Sequence, residues 1–262
     1  MTDQCLSNPS AHLYLKGDAR GGAFPFVVEP FSEDYTGRLS WRFLGNQLLR
    51  CASLHAGMCG FGYDDMQEAH HVWVLSRLVV ELEEMPRTNE AYTIETWVSR
   101  IYRQFTDRLY AITGNDGRAY GFAHSTWALI DVQSRQPMEL STLPDDGFVR
   151  FLIDRDVPIK GAGRIRLKTD GEPARTLQAY YSDLDINGHV NSIRYIEMML
   201  DLFPKSLYDA TPVRRIEVAY SAESYCGDVL KIYTTDAGNG THLVEIQKEG
   251  GVTVVKAAIT FG

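Results

Sequence analysis

The chain repeats one order of elements: a strand, a short polar loop, a helix, and then a run of strands. The loop DYTGRLSW, which begins at Asp34, aligns with DINGHVNS, which begins at Asp185. Downstream, RLVVELEEMPRTNEAYTIET from Arg77 aligns without a gap with RIEVAYSAESYCGDVLKIYT from Arg215. Because both matches occur in the same order, the sequence predicts two copies of one α+β unit. Each unit is expected to be a long helix wrapped by an antiparallel sheet.

Hydrophobic periodicity places one helix in each copy. Apolar residues recur three or four positions apart after each loop, which indicates a helix with one buried stripe. The other segments are rich in β-branched and aromatic residues, are separated by Gly, Pro and Asn, and are typical of strands. The predicted stripes are Trp41, Leu44, Leu48, Cys51 and His55 in the first copy, and Ile193, Ile196, Met199 or Leu200, and Phe203 in the second.

These patterns predict four segments along the chain. Residues 1–22 are polar and are expected to form a flexible N-terminal tail. Residues 23–150 hold the first unit, and residues 173–262 hold the second. Residues 151–172 carry scattered charges, Gly and Pro, which favours a linker between the two units.

Composition excludes several classes of protein. The net charge of −8 over 262 residues argues against a general nucleic-acid binder, which needs a basic surface. No stretch approaches the about 20 apolar residues that span a bilayer. The N-terminus has no apolar signal core, so a cytoplasmic location is expected. The four cysteines have no metal-binding spacing and are interpreted as reduced thiols: Cys5, Cys51, Cys59 and Cys226.

A polar set in the second copy is the candidate reaction centre. In an extended loop, Asp185, Asn187 and His189 would share one face beside a helix N-terminus, where negative charge is stabilised. His189 could shuttle a proton while Asp185 fixes its tautomer. Asn187 could hold water or a carbonyl oxygen. Glu223, predicted on the strand after the helix, could act as a general base toward water.

The alternative is that these residues only build a turn and cap a helix. Asp and Asn often do both, and Asn191 is itself a plausible N-cap. The first copy favours chemistry, because Thr36, Arg38 and Met85 stand where the second copy has Asn187, His189 and Glu223. If the polar groups were needed for the turn, both copies should keep them.

Two other candidates are weaker. His70 and His71 could suggest a metal site, but adjacent residues on a strand point to opposite faces. Cys226 could be a nucleophile, yet no adjacent cation is present in the sequence to lower its pKa.

Several stretches resemble one known family. DLDINGHVNSIRYIE resembles the signature loop and helix of acyl-acyl-carrier-protein (acyl-ACP) thioesterases from plants and bacteria. GNQLLRCASLHAGMCGFG is similar to the first long helix of that family, and YSAES is similar to the segment that carries its catalytic glutamate. WVLSRLVVELEEMPRTNEAYTIETWVS and STWALIDVQSRQPMEL are similar to its first-half strands. The resemblance covers roughly residues 24–262.

The resemblance implies a tandem (double) hotdog fold, in which two sheet-wrapped helices share one chain. It implies hydrolysis of the thioester between a fatty acyl chain and carrier-protein phosphopantetheine, with no cofactor of the enzyme's own and an acyl-chain tunnel formed largely by the first unit. Carried over by position, the catalytic set is Asp185, Asn187, His189 and Glu223.

One residue departs from the plant pattern. Plant members have a cysteine directly after the glutamate, and this chain has Ser224 there. The departure favours Glu223-assisted attack by water over a covalent cysteine mechanism.

The alternatives to an acyl-ACP thioesterase are an acyl-CoA thioesterase of the same fold and a non-catalytic acyl-binding protein. A hotdog hydratase is disfavoured, because the hydratase signature has Asp-x-Asn-Pro and this loop has Asp-x-Asn-Gly. Monomer and homodimer both fit the repeat.

An acidic carrier protein as partner predicts a basic docking patch despite the net negative charge. Basic residues outnumber acidic ones in the predicted linker, and two more lie at the start of a later strand. The candidates are Lys160, Arg164, Arg166, Lys168, Arg175, Arg214 and Arg215.

Overall fold

The computed structural model describes residues 20–140, 149–169 and 171–262. The helices are α1 Trp41–Met58, α2 Tyr63–Glu68, α3 Ser192–Leu200 and α4 Lys205–Ala210. The strands are β1 Gly22–Val27, β2 His71–Leu82, β3 Ala91–Tyr102, β4 Phe105–Gly114, β5 Ala119–Asp131, β6 Arg175–Gln178, β7 Val213–Tyr220, β8 Val229–Gly238, β9 Thr241–Lys248 and β10 Val252–Phe261. Each predicted strand segment overlaps one of these strands.

The chain folds as two compact units. Of the described residues, those up to 76 and within 83–160 form the first unit, and those within 77–82 and 161–262 form the second. Strand β2 is divided between the units: its first six residues belong to the first unit, and its last six belong to the second.

In the first unit, antiparallel strands follow the order β1-β3-β4-β5, and α1 packs on β1 and β3. Tyr92 and Ile94 alternate along β3 and are fully buried, as the two-residue period of a strand requires. The helix buries the predicted stripe at Leu44, Leu48 and Cys51.

One member of that stripe is polar. His55 of α1 is fully buried, and Nη1 of the buried Arg108 lies 2.9 Å from His55 Nδ1. Burial lowers the pKa of His55 to about 3, and the neighbouring guanidinium acts in the same direction. The imidazole is therefore neutral at pH 7 and can accept a hydrogen bond from Arg108.

The second unit repeats this arrangement with the strand order β7-β10-β9-β8-β6, and residues 77–82 of β2 pair with β7. The helix α3 buries Ile193, Ile196 and Met199 of the predicted stripe, whereas Phe203 lies beyond its end. It is shorter than the long helix predicted, with nine residues. Pro204 disfavours helical backbone at the residue before it, so the chain turns at 201–203 and restarts as α4.

Residues of the predicted tail and linker make contacts within the two units. Within the predicted tail, Arg20 donates to the Leu152 carbonyl at 3.0 Å, while residues 1–19 lie outside the described part. Within the predicted linker, Ile153 N donates to Val98 O at 3.0 Å inside the first unit. Gly163 N donates to Glu217 at 2.7 Å inside the second. The linker as a domain boundary remains a prediction.

Candidate active site

The loop before α3 is a tight turn built on Asp185. The backbone N–H of Asp185 donates to the His189 carbonyl at 2.8 Å. Its side-chain Oδ1 accepts from the N–H groups of Asn187 at 2.8 Å and His189 at 3.2 Å. Gly188 has φ +76°, a backbone conformation that glycine adopts at little cost.

This geometry corrects the premise of an extended loop. Residues 186–188 form the turn, so Asp185 and His189 do not share a strand face. Both hydrogen bonds described for the Asp185 carboxylate come from backbone amides, so Asp185 shapes the loop. Its predicted action on the His189 imidazole remains a prediction.

The start of α3 is held by side chains on both sides. As predicted, Asn191 caps the helix, because its Oδ1 accepts from Ile193 N at 2.8 Å. Behind it, the buried Asp183 accepts from Tyr180 N at 2.8 Å and from Arg194 Nε at 2.6 Å. These contacts fix the direction in which the chain enters α3.

The segment after β7 lies alongside the loop. Val190 N donates to the Ser224 carbonyl at 2.8 Å. This contact brings Oε2 of Glu223 to 3.6 Å from Nε2 of His189, with both side chains half-buried. The strand ends at Tyr220, so Glu223 lies in the irregular segment beyond it rather than on the strand as predicted.

The sequence interpretation missed two side chains that contact Glu223. Tyr225 donates its hydroxyl to Glu223 Oε2 at 3.0 Å, and Lys248 donates from Nζ to the Glu223 carbonyl at 2.7 Å. Tyr225 is two residues from Glu223, so the alignment of the two copies could have drawn attention to it. Lys248 lies at the end of β9, and no local pattern marks it.

Ser224 and Cys51 offer little for nucleophilic attack. The Ser224 side chain is fully buried. Burial raises the pKa of the Cys51 thiol to about 12, which makes it a poor nucleophile. Cys226 is exposed and unpaired with another cysteine.

The first unit has the same turn with different side chains. Asp34 N donates to Arg38 O at 2.7 Å, and Asp34 Oδ1 accepts from Thr36 N at 2.7 Å. Gly37 has φ +71°, and Leu39 N donates to Pro86 O at 2.9 Å. These contacts match those of Asp185, Asn187, Gly188 and Val190, which confirms the alignment of the two loops.

The positions that correspond to His189 and Glu223 hold different side chains in the first unit. Arg38, the counterpart of His189, donates from Nη1 to Glu84 Oε1 at 2.9 Å and to Met85 O at 3.1 Å. The Arg38 guanidinium holds the pKa of the Glu84 carboxyl below its ordinary value. Met85, the counterpart of Glu223, cannot accept a proton. The first loop therefore holds the Arg38–Glu84 ion pair, whereas the second brings His189 and Glu223 together.

The described residues contain no cluster of three or more His, Cys, Asp and Glu side chains that could hold a metal ion. Throughout the same residues, none of the helices combines the length and the apolar character that a bilayer span requires.

Family models match most of the chain. The acyl-ACP thioesterase N-terminal domain matches residues 25–146, and the acyl-ACP thioesterase C-terminal domain matches residues 168–262. The chain belongs to the acyl-ACP thioesterase family. The resemblance found in the sequence and the predicted tandem hotdog fold are both confirmed.

Solved structures of acyl-ACP thioesterases extend this likeness. The chain is 43% identical to a structure of an acyl-ACP thioesterase from Bacteroides thetaiotaomicron, with 95% of this chain and 100% of that chain covered and a TM-score of 0.89. The 12:0-ACP thioesterase of Umbellularia californica has the same fold at 20% identity, with 95% and 98% covered and a TM-score of 0.82.

Curated acyl-ACP thioesterases of plants are longer. The chain is 25% identical to the chloroplastic dodecanoyl-[acyl-carrier-protein] hydrolase of Cinnamomum camphora, over 81% of this chain and 60% of that protein. It is 24% identical to the chloroplastic oleoyl-acyl carrier protein thioesterase 1 of Arabidopsis thaliana, over 80% and 62%. The chain thus spans about six-tenths of the length of these two relatives.

Proposed function

We propose that the chain hydrolyses the thioester of fatty acyl-ACP and releases a free fatty acid. The observation that carries this proposal is the His189–Glu223 pair, with 3.6 Å between Nε2 and Oε2, beside a turn and a helix start. A carboxylate that can take a proton and an imidazole that can pass it on are the groups that water attack on a thioester needs. Membership of the acyl-ACP thioesterase family supports the carrier-protein substrate.

Each residue has a role in the proposed reaction. Glu223 takes a proton from water, whose oxygen bonds to the thioester carbon while negative charge moves to the carbonyl oxygen. Asn187, whose side chain is exposed in the turn before α3, donates a hydrogen bond to that oxygen. The carbonyl re-forms, the carbon–sulfur bond breaks, and His189 passes the proton from Glu223 to the departing sulfur.

Asp185 contributes through the backbone of the turn, because its carboxylate holds the N–H groups of Asn187 and His189. In our proposal, the reaction needs no cofactor bound to the enzyme. The phosphopantetheine belongs to the substrate. Accommodation of the acyl chain by the first unit, a cytoplasmic location and a homodimer remain predictions.

The acidic carrier protein is proposed to dock on exposed cations near residues 160–168. Arg164, Arg166 and Lys168 are exposed at alternate positions, and Lys160 is exposed as well. Three other candidates are engaged within the second unit. Arg175 pairs with Asp201 at 3.4 Å, Arg215 pairs with Glu81 and Glu217, and Arg214 donates to the Gly262 carbonyl.

The docking proposal predicts a salt-dependent KM, since charges on exposed side chains are screened over about 10 Å at 0.1 M salt. Charge reversal at Arg164 and Arg166 should raise KM for acyl-ACP and leave KM for acyl-CoA unchanged. A KM that is the same in low and high salt, and in the reversed variant, would rule this surface out.

The test of function compares Glu223→Ala and His189→Ala with wild type on acyl-ACP and acyl-CoA of matched chain length. Loss of a general base commonly costs about 10²–10⁴-fold in rate, so both variants should lose activity at this scale. Met85→Ala, at the position that corresponds to Glu223 in the first unit, is the matched control and should stay within about twofold. Activity of both site variants within a few-fold of wild type would sink the assignment.

The same assay separates the two substrate classes. A higher kcat/KM for acyl-ACP supports the proposal. A higher kcat/KM for acyl-CoA would favour the acyl-CoA thioesterase, and no hydrolysis of either would favour an acyl-binding protein.

A further inference from the structure

Tyr225 contacts both members of the proposed acid–base pair. Its hydroxyl donates to Glu223 Oε2 at 3.0 Å, which is the same oxygen that lies 3.6 Å from His189 Nε2. The rings of Tyr225 and His189 are 5.1 Å apart between centroids and meet edge to face at 86°. One side chain thus contacts both the carboxylate and the imidazole.

Lys248 supports the same group from β9. Its Nζ donates to the Glu223 carbonyl oxygen at 2.7 Å and lies 5.8 Å from the centroid of the Tyr225 ring. An ammonium at this distance from an aromatic face is attracted to it. Lys248 therefore holds both the backbone of Glu223 and the ring that contacts the Glu223 carboxylate.

This support matters because Glu223 lies beyond the end of β7, which stops at Tyr220. Outside the strand, no continuous ladder of backbone hydrogen bonds fixes the carboxylate in one direction. A general base acts efficiently when its oxygen lies within about 2.6–3.2 Å of the atom that carries the proton it removes. The contacts of Tyr225 and Lys248 meet this need for a fixed position.

The first unit shows that the backbone does not need the phenol. Arg87 occupies the place of Tyr225, since Arg38 and Arg87 form the same isolated β-bridge as His189 and Tyr225. The turn is closed in the same way in both units. Arg87 N donates to a Glu90 carboxylate oxygen at 2.8 Å, and Tyr225 N donates to one of Asp228 at 3.0 Å. The phenol therefore differs between the units together with the catalytic residues, while the backbone hydrogen bond stays.

We infer that Tyr225 is a positioning residue that orients the Glu223 carboxylate for water attack, and that Lys248 fixes the Glu223 backbone for the same purpose. This inference rests on the proposed hydrolase function and deepens it. Tyr225 acts through Glu223 and transfers no proton of its own.

The first test is Tyr225→Phe, which removes only the hydroxyl. A hydrogen bond to a charged group in a half-exposed site predicts a fall in kcat of about tenfold. KM for acyl-ACP should stay within about twofold, and the thermal midpoint should not change. Tyr233→Phe on β8 is the matched control, since it removes a phenol hydroxyl elsewhere in the same unit. A kcat within twofold of wild type for Tyr225→Phe overturns the inference.

The second test is a double-mutant cycle with Glu223→Gln, measured by single turnover at high enzyme concentration. If Tyr225 acts through the carboxylate, Tyr225→Phe should change the residual rate of Glu223→Gln by less than about twofold. An equal tenfold loss in both backgrounds would assign Tyr225 a role independent of Glu223 and overturn the inference.

The third test separates a positioning role of Lys248 from a role in stability. Lys248→Met should lower kcat at constant KM, and Lys248→Arg, which keeps a donor, should restore at least half of the lost activity. Equal kcat in Lys248→Met and wild type would overturn the role of Lys248. A fully active Glu223→Gln would instead contradict the proposed function itself, so the two failures are distinguishable.

Discussion

In the first unit, Asp34 Oδ1 accepts a hydrogen bond from Thr36 N, and in the second unit Asp185 Oδ1 accepts the equivalent bond from Asn187 N. Both turns contain a glycine at positive φ, and both are followed by a helix capped by a side chain, Ser40 or Asn191. The side chains that differ are Thr36, Arg38 and Met85 in the first unit and Asn187, His189 and Glu223 in the second. The turn conformation therefore does not depend on the side chains of His189 and Glu223, because the first loop forms the same turn without them.

The difference also shows what each kind of residue contributes. Asp and Gly recur in both loops because the turn needs a side-chain acceptor and a left-handed residue. The pair His189 and Glu223 occurs only in the second unit, where Arg38 and Met85 are the counterparts. The comparison can be broken or sharpened by exchanging these two kinds of residue one at a time.

Exchange of the reactive side chains should have the largest effect. The double variant His189→Arg with Glu223→Met gives the second loop the side chains of the first, and hydrolysis of acyl-ACP should fall about 10²–10⁴-fold. The free energy of unfolding should change by less than about 1 kcal/mol, because the turn hydrogen bonds use the backbone. Steady-state kinetics and chemical denaturation check the two parts.

The reverse exchange, Arg38→His with Met85→Glu, is the control. It should leave the rate of acyl-ACP hydrolysis unchanged, since the first loop has Arg87 where the second has the phenol of Tyr225. A large rise in activity would show that these two side chains alone account for the difference in activity between the loops.

Removal of the turn acceptor should have the next largest effect. Asp34→Ala and Asp185→Ala each leave turn amides without their acceptor, so each should lower the free energy of unfolding by about 1–3 kcal/mol. Only Asp185→Ala should also lower kcat, by about 10²-fold, because a small displacement of reacting groups is costly.

Asp185→Asn distinguishes shape from charge. It keeps an acceptor oxygen and should preserve stability, as should Asp34→Asn. If Asp185→Asn also keeps kcat, Asp185 acts only through the turn. If kcat falls while stability is preserved, the charge of Asp185 acts on the His189 imidazole, as the sequence interpretation predicted.

Substitution of the turn glycines should have equal effects in both units. Gly37 and Gly188 have φ values of +71° and +76°. Added methyl groups meet nothing within 4 Å at Gly188 and only Thr88 Oγ1 at 3.8 Å at Gly37. Alanine should therefore destabilise each loop by about 1–2 kcal/mol through backbone strain alone.

Asparagine tolerates the left-handed region, so Gly37→Asn and Gly188→Asn should be milder than the alanine variants. Denaturation midpoints of the four variants provide the measurement. A loss at one glycine only would contradict the equivalence of the two turns.

The ion pair of the first loop should matter least. Arg38 and Glu84 have side chains that are 32% and 34% exposed, so solvent screens their attraction. Arg38→Met should lower the free energy of unfolding by less than about 1 kcal/mol, and kcat should not change. Denaturation at low and high salt measures the effect, and a loss above about 2 kcal/mol would mean that this pair is essential to the first turn.

The secondary structure and the two-unit organisation could be predicted from the sequence, because both depend on local patterns or on the match between the two copies. Hydrophobic patterns with a period of two residues located the strands. Patterns with a period of three to four residues located the apolar stripes of α1 and α3. The match of Asp34 with Asp185 predicted two related units, and Asn191 was recognisable as a cap from its position before the stripe. The same match singled out His189 and Glu223, since they lack equivalents in the first copy.

Only the tertiary structure decided which groups meet. Residues 189 and 223 are far apart in sequence, and the contact between Val190 N and Ser224 O brings them together. The structure also assigned the Asp185 carboxylate to backbone amides, because the positive φ of Gly188 closes a turn where an extended strand was expected. Lys248 reaches Glu223 from another strand, and sheet register, which no local pattern specifies, sets that distance.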